Sequence, residues 1–478
     1  MNSFRSQIRQ RRGLPLQVLT ALILLCAGGF AAHAQTAAEP RREQLLNGLR
    51  IVMLSRPGDG DVLIKLRVHS GAAFDLAGKE GLMATLADAM FDQQTRDYVT
   101  DELGGRFEVT TDYDSISFTL AGRATDFDRL LELVRNAVTN PQLTPEAVER
   151  ARAVRLKAVS AKASAHAEQA DRVVAARLFG TYPYGRPAGG SPESIARIER
   201  ADIMLMRERF LHSDTTTLVI TGGFDPKRVM RSLRSSLGGW RKSDGKIPST
   251  FRLPEPPDER TLVINQPASS ETEVRLSLRG LARTDRDAPA AQLLAFVVRE
   301  RWLGALPELK DRAAFVRHDA YRNGGVFRLG TSVRSAAEAA KALESARSIL
   351  RDLAANAPTA AELENAKRAV AASAGAGAQN FESLTVSWLD EHSYSSKAAT
   401  VSEMAHAAGS LTPSEAQRVG ARLFFHTPSA TVAVGDAAQL RTELARAGAV
   451  EIFGESAAKP EATPPPKPQQ PAIQLKRP

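Results

Sequence analysis

Of the 478 residues, one is cysteine, three are tryptophan and six are tyrosine. Cys26 falls in an N-terminal segment that reads as removable. The chain that remains then has no thiol, no disulfide and no cysteine metal site, which suits an oxidising compartment. Histidine is scarce as well. No two of His69, His166, His212, His318, His392, His406 and His426 stand four residues apart, so the helical two-histidine zinc pattern is absent. Glu391-His392 and His166 with Glu168 are the nearest approaches, and all seven histidines read as surface or loop residues. No G-x-S-x-G elbow supports a serine hydrolase. Gly104-Gly105 and Gly324-Gly325 read as turn glycines, not as phosphate cradles. The apolar run Val18 to Ala27 is too short to favour a membrane span. The net charge of +9 falls by four once Arg5, Arg9, Arg11 and Arg12 are set aside. With no basic cluster and no nucleic-acid motif, nucleic-acid binding has no support.

What is present is ordinary globular composition, 43% hydrophobic and 24% charged, in a chain long enough for several domains. Residues 1–34 read as a signal peptide: the four arginines, the apolar run, then Ala32-His33-Ala34 as an A-x-A cleavage site. The expected address is the periplasm or cell envelope. Cys26 could anchor a lipoprotein, but Ile23-Leu24-Leu25 before it lacks the small residue such a cleavage site requires. Residues 43–240 form a first domain, 241–260 a linker rich in proline, and 261–455 a second domain. Residues 456–478 form a Pro-rich tail expected to be disordered. The order of elements repeats. Thr359 to Val370 echoes Thr144 to Val154, and Thr431-Val432-Ala433-Val434-Gly435 echoes Thr217 to Gly222. The period is near 210 residues, too long for a solenoid. Phe107 to Leu120, rich in Thr, Val, Ile and Phe, reads as one strand. Thr144-Pro145-Glu146 opens a long helix.

One helix organises the rest: Gly81-Leu82-Met83-Ala84-Thr85-Leu86-Ala87-Asp88-Ala89-Met90-Phe91, with Leu82, Leu86 and Met90 on one apolar face. This stretch resembles the first helix of the pitrilysin/insulinase family of zinc peptidases. So do Asn47 to Val52, the loop Pro183-Tyr184-Gly185-Arg186-Pro187, the start Gly190-Ser191-Pro192-Glu193-Ser194-Ile195, and Gly280 to Asp285. The resemblance runs from about Glu43 to Phe453. It implies an α+β fold of two homologous domains, each a mainly antiparallel sheet with helices packed on one face. In active members this helix carries H-x-x-E-H, two zinc-binding histidines and the base. Aligned on Gly81-Leu82, the ligand positions hold Ala84 and Asp88, and the base position holds Ala87. The third ligand, a Glu on the long helix, falls at Ala158. An Arg and a Tyr seven apart hold the substrate carbonyl in active members; here Glu308 and Phe315 stand in their places.

The resemblance therefore implies the frame of a peptidase without its metal chemistry. The expected function is a non-catalytic, peptide-binding or structural subunit. It would pair as a heterodimer with an H-x-x-E-H-bearing chain, and zinc is expected only in that partner. The dock would be the strand from Gly105 to Leu120, including Phe107, with Glu108, Thr110, Asp112 and Asp114 giving it an acidic, polar character. Tyr182 and Tyr184 are expected to pack a loop, with lining of a peptide groove the other reading. The alternatives are a self-standing envelope binding or scaffold protein, and an active metallopeptidase whose site residues have moved.

Overall fold

The computed structural model describes residues 39–454, apart from 164, 246–251, 253, 268, 379–380 and 398–399. The expected signal peptide at 1–34 and tail at 456–478 lie outside the described residues, as does 246–251 of the linker. The first half builds a sheet from β1 (Arg41–Gln44), β2 (Arg50–Ser55), β3 (Asp61–Val68), β4 (Arg106–Thr111), β5 (Ile116–Arg123) and β6 (Thr216–Gly222). Their spatial order is β1-β2-β6-β3-β5-β4. Only β2 and β6 run parallel.

The second half repeats the plan with β7 (Thr261–Asn265), β8 (Thr272–Gly280), β9 (Phe315–Tyr321), β10 (Gly324–Val333), β11 (Ser429–Gly435) and β12 (Val450–Ile452), ordered β12-β7-β11-β8-β10-β9. Strands β2 to β6 correspond to β7 to β11, with starting residues offset by 208 to 213 positions. The sixth place breaks the repeat. It is filled by the antiparallel β1 in one sheet and by the parallel β12 in the other.

Each sheet has its own helices on one face. In the first half these include α1 (Leu82–Met90), α2 (Phe127–Thr139) and α3 (Pro145–Ala163), then, after α4 (His166–Phe179), α5 (Arg200–Phe210) and α6 (Pro226–Leu237). Ile51, Ile64, Leu66 and Phe118 of the sheet meet Leu82, Leu86, Leu130, Met206 and Leu233 of these helices in one core. The second half uses α7 (Ala288–Ala305), α8 (Ala336–Ala355), α9 (Ala360–Ala378), then, after α10 (Phe381–Ser393), α11 (Val401–Gly409), α12 (Pro413–Phe424) and α13 (Ala437–Leu444). Local chemistry sets the ends. Thr412 and Glu415 form a reciprocal capping box with Pro413 in the first turn of α12.

The two set-aside helices exchange places. Helix α4 leaves its own half and covers the opposite face of the second sheet. There Ala170, Val174 and Leu178 pack on Leu262, Ile264, Val432 and Val434. Helix α10 returns the favour to the first sheet, but on polar terms. Leu389 and Trp388 touch Val52 and Val219. Around that small apolar contact, Asp390 pairs with Arg67 (2.6 Å) and Arg283 (3.0 Å), and Glu382 pairs with Lys65 (2.9 Å). His69 is buried at this seam, its Nδ1 on Ser393 Oγ (2.8 Å) and its Nε2 on Thr217 Oγ1 (2.9 Å).

Two expectations change. The segment read as one strand from Phe107 to Leu120 is a hairpin, because Asp112 accepts from the backbone N–H of Asp114 and Ser115 and closes a turn. Nor are the histidines all superficial: His69 and His212 are buried, and His318 accepts a hydrogen bond from Leu281 N–H through Nε2 (2.9 Å). Tyr182 and Tyr184 pack the loop as expected, both buried. No described helix is long and apolar enough to cross a membrane.

Burial pushes the His318 pKa down to about 4. The unfolded chain therefore takes up a proton near pH 6.5 that the native state refuses until about pH 4. Stability is lost as pH falls through that window, at up to about 1.4 kcal/mol per pH unit. Asp114, raised to about 6 by burial, pulls the other way but is common to both proteins compared. In urea titrations at several pH values, the stability advantage of wild type over His318→Gln should shrink from neutral pH downwards. A difference that does not vary with pH would show that His318 titrates as in a free peptide.

Candidate functional site

Helix α1 is surrounded on every side; all nine of its residues are buried. Its start is fixed by Gly81 at φ 88°, where a side chain would strike Ile195 Cδ1 and Gly189 O. The free N–H groups of the first turn are satisfied by Asp75, whose carboxylate accepts from Gly81 N–H (2.7 Å) and Met83 N–H (2.8 Å). Burial nevertheless pushes the Asp75 carboxyl up to about 7.

Ala84 and Ala87 are fully buried and offer only methyl groups. Asp88, one turn beyond Ala84, is 7% exposed and carries two cations. Arg155 of α3 reaches its Oδ2 through Nη2 (2.6 Å) and Nε (2.8 Å), and also donates to Ala84 O (3.3 Å). Arg96, from the short helix Gln93–Asp97, donates to Oδ1 (3.0 Å). Ala151, Arg155 and Ala158 are spaced i, i+4, i+7 on one face of α3. Ala151 is buried in the core, while Ala158 lies exposed one turn further on and lines a cavity with Arg155.

This donor set does not fit zinc. A catalytic zinc site takes three protein ligands and keeps one position for water. Here one carboxylate remains, both its oxygens are bound, and two guanidinium groups stand where a dication would be repelled. Among the described residues no three His, Cys, Asp or Glu side chains gather as metal ligands.

The expected docking residues divide. Strand β4 is an edge: it pairs with β5, and its outer side faces no other strand among the described residues. Glu108 and Thr110 point outward and are exposed, whereas Phe107 is half-buried against Phe91 (ring centroids 4.9 Å) with Arg96 over its ring. Asp112 and Asp114 do not belong to the strand. The first closes the turn, and the second is buried under Arg322 N–H (2.8 Å) and Tyr394 Oη (3.0 Å). The acidic character expected of the dock reduces to Glu108, which is itself beside Arg106 (3.3 Å). Beyond the turn, Tyr113 and Tyr184 of the first half pack on Tyr321 of the second, with centroids 4.8–5.0 Å apart.

Residues 50–191 match the family model described as insulinase (peptidase family M16), and residues 197–370 match the model described as the peptidase M16 inactive domain. The chain is a member of peptidase family M16. Among curated relatives, an uncharacterized zinc protease of Mycobacterium bovis is 24% identical over 264 residues, 52% of this chain and 58% of that one. The chain thus spans little more than half the length of the curated relatives it matches. A protease from Helicobacter pylori superposes with a TM-score of 0.74 at 17% identity, over 83% of this chain and 99% of the other. A structure titled peptidase M16 inactive domain from Pseudomonas fluorescens gives 0.71, also at 17% identity, over 84% and 98%.

Of the other M16 positions, Glu308 is exposed in the turn Pro307–Asp311. Phe315 lies beneath Arg275 and Arg317, whose guanidinium groups sit 5.3 and 4.7 Å from its ring centre. Arg96 and Arg155 were not among the residues singled out from sequence. The signal available was the lone Asp88 on a face otherwise made of alanine and apolar residues, since a buried carboxylate must find a cation or hydrogen-bond donors.

Two outcomes follow. Asp88→Ala should cost about 3 kcal/mol in urea unfolding, because it strands two largely buried guanidinium groups, and adding Arg155→Met should recover part of that loss. A loss under about 1 kcal/mol would show the pairs to be solvated. Wild type should hold no stoichiometric zinc by elemental analysis. Ala84→His, Ala87→Glu, Asp88→His and Ala158→Glu together should bind it only weakly while Arg155 faces the metal. Adding Arg155→Leu should raise affinity about tenfold or more in chelator competition. Equal affinity with and without Arg155 would place the arginine away from the ligands.

Proposed function

We propose that this chain is a non-catalytic M16 subunit of the cell envelope that binds extended peptides along β4 and pairs with a second M16 chain bearing H-x-x-E-H. The observation that carries the reading is the double ion pair at Asp88, which occupies the site that would hold zinc and leaves nothing to activate water. The open edge of β4 supports the peptide role: among the described residues no strand pairs with its outer side, which leaves room for an added one, and Phe107 below it is fixed by Phe91 and Arg96. Export rests on residues 1–34. The partner follows from the intact two-sheet frame around a site without ligands: zinc would be supplied by the other chain, and this one would supply shape and peptide affinity.

The test combines co-expression and hydrogen exchange. A complex near twice the chain mass by light scattering, with peptide cleavage faster than the zinc-bearing chain achieves alone, is the expected result. A relative that is monodisperse and fully active by itself, with no complex, refutes the pairing and leaves a self-standing envelope binding protein. Saturating unstructured peptide should slow amide exchange in 106–111. Unchanged exchange there would refute the dock in either case.

A further inference from the structure

A cavity of about 340 Å³ opens between α3, α4 and the loop 185–192, with Tyr113 and Arg328 behind it. Its size is within the range of small-ligand pockets. Its charges do not balance. Arg155 is spent on Asp88, Arg328 on Asp319, and Asp171 on Arg275 (2.6 Å). That leaves Lys162, Arg172 and Arg186 against Glu168. Neither Lys162 nor Arg172 bonds a carboxylate among the described residues. Arg186 gives Nη1 to Asp75 O (3.0 Å) and Nη2 to Ala73 O (3.4 Å), both main-chain carbonyls, and its buried Nε has no acceptor. Glu193, beside the rim, accepts from Ser191 Oγ (2.7 Å), is exposed, and feels the positive charge of Arg172 and Arg197. Three cations thus line one open cavity whose lining leaves Glu168 as the opposing carboxylate, with Glu193 outside the lining near Arg172 and Asp75 behind Arg186. The mouth is open at Gly189, where nothing lies within 4 Å of the position a side chain would take.

We infer that this cavity is a carboxylate-binding subsite, which takes the acidic side chain or the free C-terminus of a peptide and orients it through Lys162 and Arg172. A guanidinium presents paired donors that match a carboxylate, and an ammonium on a flexible stem completes the charge. The volume accommodates one or two residues of a peptide but not a folded partner. Arg155 borders the cavity, but Lys162 lies about two turns of α3 further on and Arg172 is on α4, so the site does not use the Asp88 ion pair. It does not need β4 either, and it stands or falls separately from the peptide dock proposed above.

The probes are small enough that none can add as a strand: Ac-Glu-NH2, Ac-Ala-Ala with a free C-terminus, the neutral Ac-Gln-NH2, and inorganic phosphate. Binding to the full chain is read by ligand-observed NMR at low salt. One or both carboxylate probes should bind, Ac-Gln-NH2 should bind about tenfold or more weakly, and the better of the two carboxylates identifies the source of the group. The double variant Lys162→Gln with Arg172→Gln should lose that preference. Both side chains lie on accessible helix surface, and an unchanged circular dichroism spectrum would confirm that the variant folds. Equal binding of Ac-Gln-NH2, equal binding by the double variant, binding of no probe, or tighter binding of phosphate than of either carboxylate would each overturn the assignment. Loss of 106–111 protection with retained Ac-Glu-NH2 binding would sink the strand dock and leave this site standing.

Discussion

A β-sheet has two faces, and each half of this chain has helices enough for one. The remedy is the exchange of α4 and α10, by which each half lends a helix to the other's open face. The two loans differ in kind. Helix α4 lies on an apolar face and is held by area. Helix α10 lies on a face of Lys65, Arg67, His69 and Thr217, and is held mainly by ion pairs and hydrogen bonds whose geometry must be met together. Buried ion pairs add little net stability when both partners are present, but losing one partner is costly. The polar side therefore sets how the halves register, and the apolar side supplies most of the attraction. Asp114, Tyr113 and Tyr184 sit where the two meet, which is why the loop 182–187 and the hairpin turn are so closely packed.

Within this frame the ion pair at Asp88 solves a local problem. Helices α1 and α3 of an M16 fold approach over positions where zinc peptidases place a cation among anionic and imidazole ligands. Here the cation is a guanidinium from α3 and the anion a carboxylate from α1, so the helices remain cross-linked by opposite charge. Arg96 brings a second positive group and ties the same carboxylate to the strand-side aromatic pair Phe91 and Phe107. A guanidinium has donors only and no vacant coordination position, so it can hold the helices together but cannot bind and ionise a water.

The sequence and the structure agree where a signal is local or periodic. The duplication, the strands and the frame of α1 followed from apolar spacing, caps and the order of motifs. The misses have a common cause in long-range partners. Asp88 was visible as an oddity, but its cation Arg155 is 67 positions away and nothing in the spacing joins them. Continuous β-propensity from Phe107 to Leu120 hid a turn whose signal was Asp112 with Asp114 and Ser115. Helices α4 and α10 are short amphipathic segments, and no pattern within either says whose sheet it will cover. The burial of His69 and His318 is likewise a property of the neighbours: Ser393 and Thr217 for one, Leu281 and Gly280 for the other.

The exchanged helices also set a timetable for folding. The chain emerges N-terminus first, and the first sheet is complete once Gly222 is available. Its far face stays open until α10 appears, about 160 residues later. At synthesis rates of roughly 5–20 residues per second that interval is on the order of 8–30 s. During it the exposed surface is Lys65, Arg67, His69 and two valines, which water solvates well. Had the apolar loan been the late one, a greasy sheet face would have waited uncovered for the same time. As built, α4 precedes the second sheet it covers, so the adhesive surface of that sheet meets its lid as it forms.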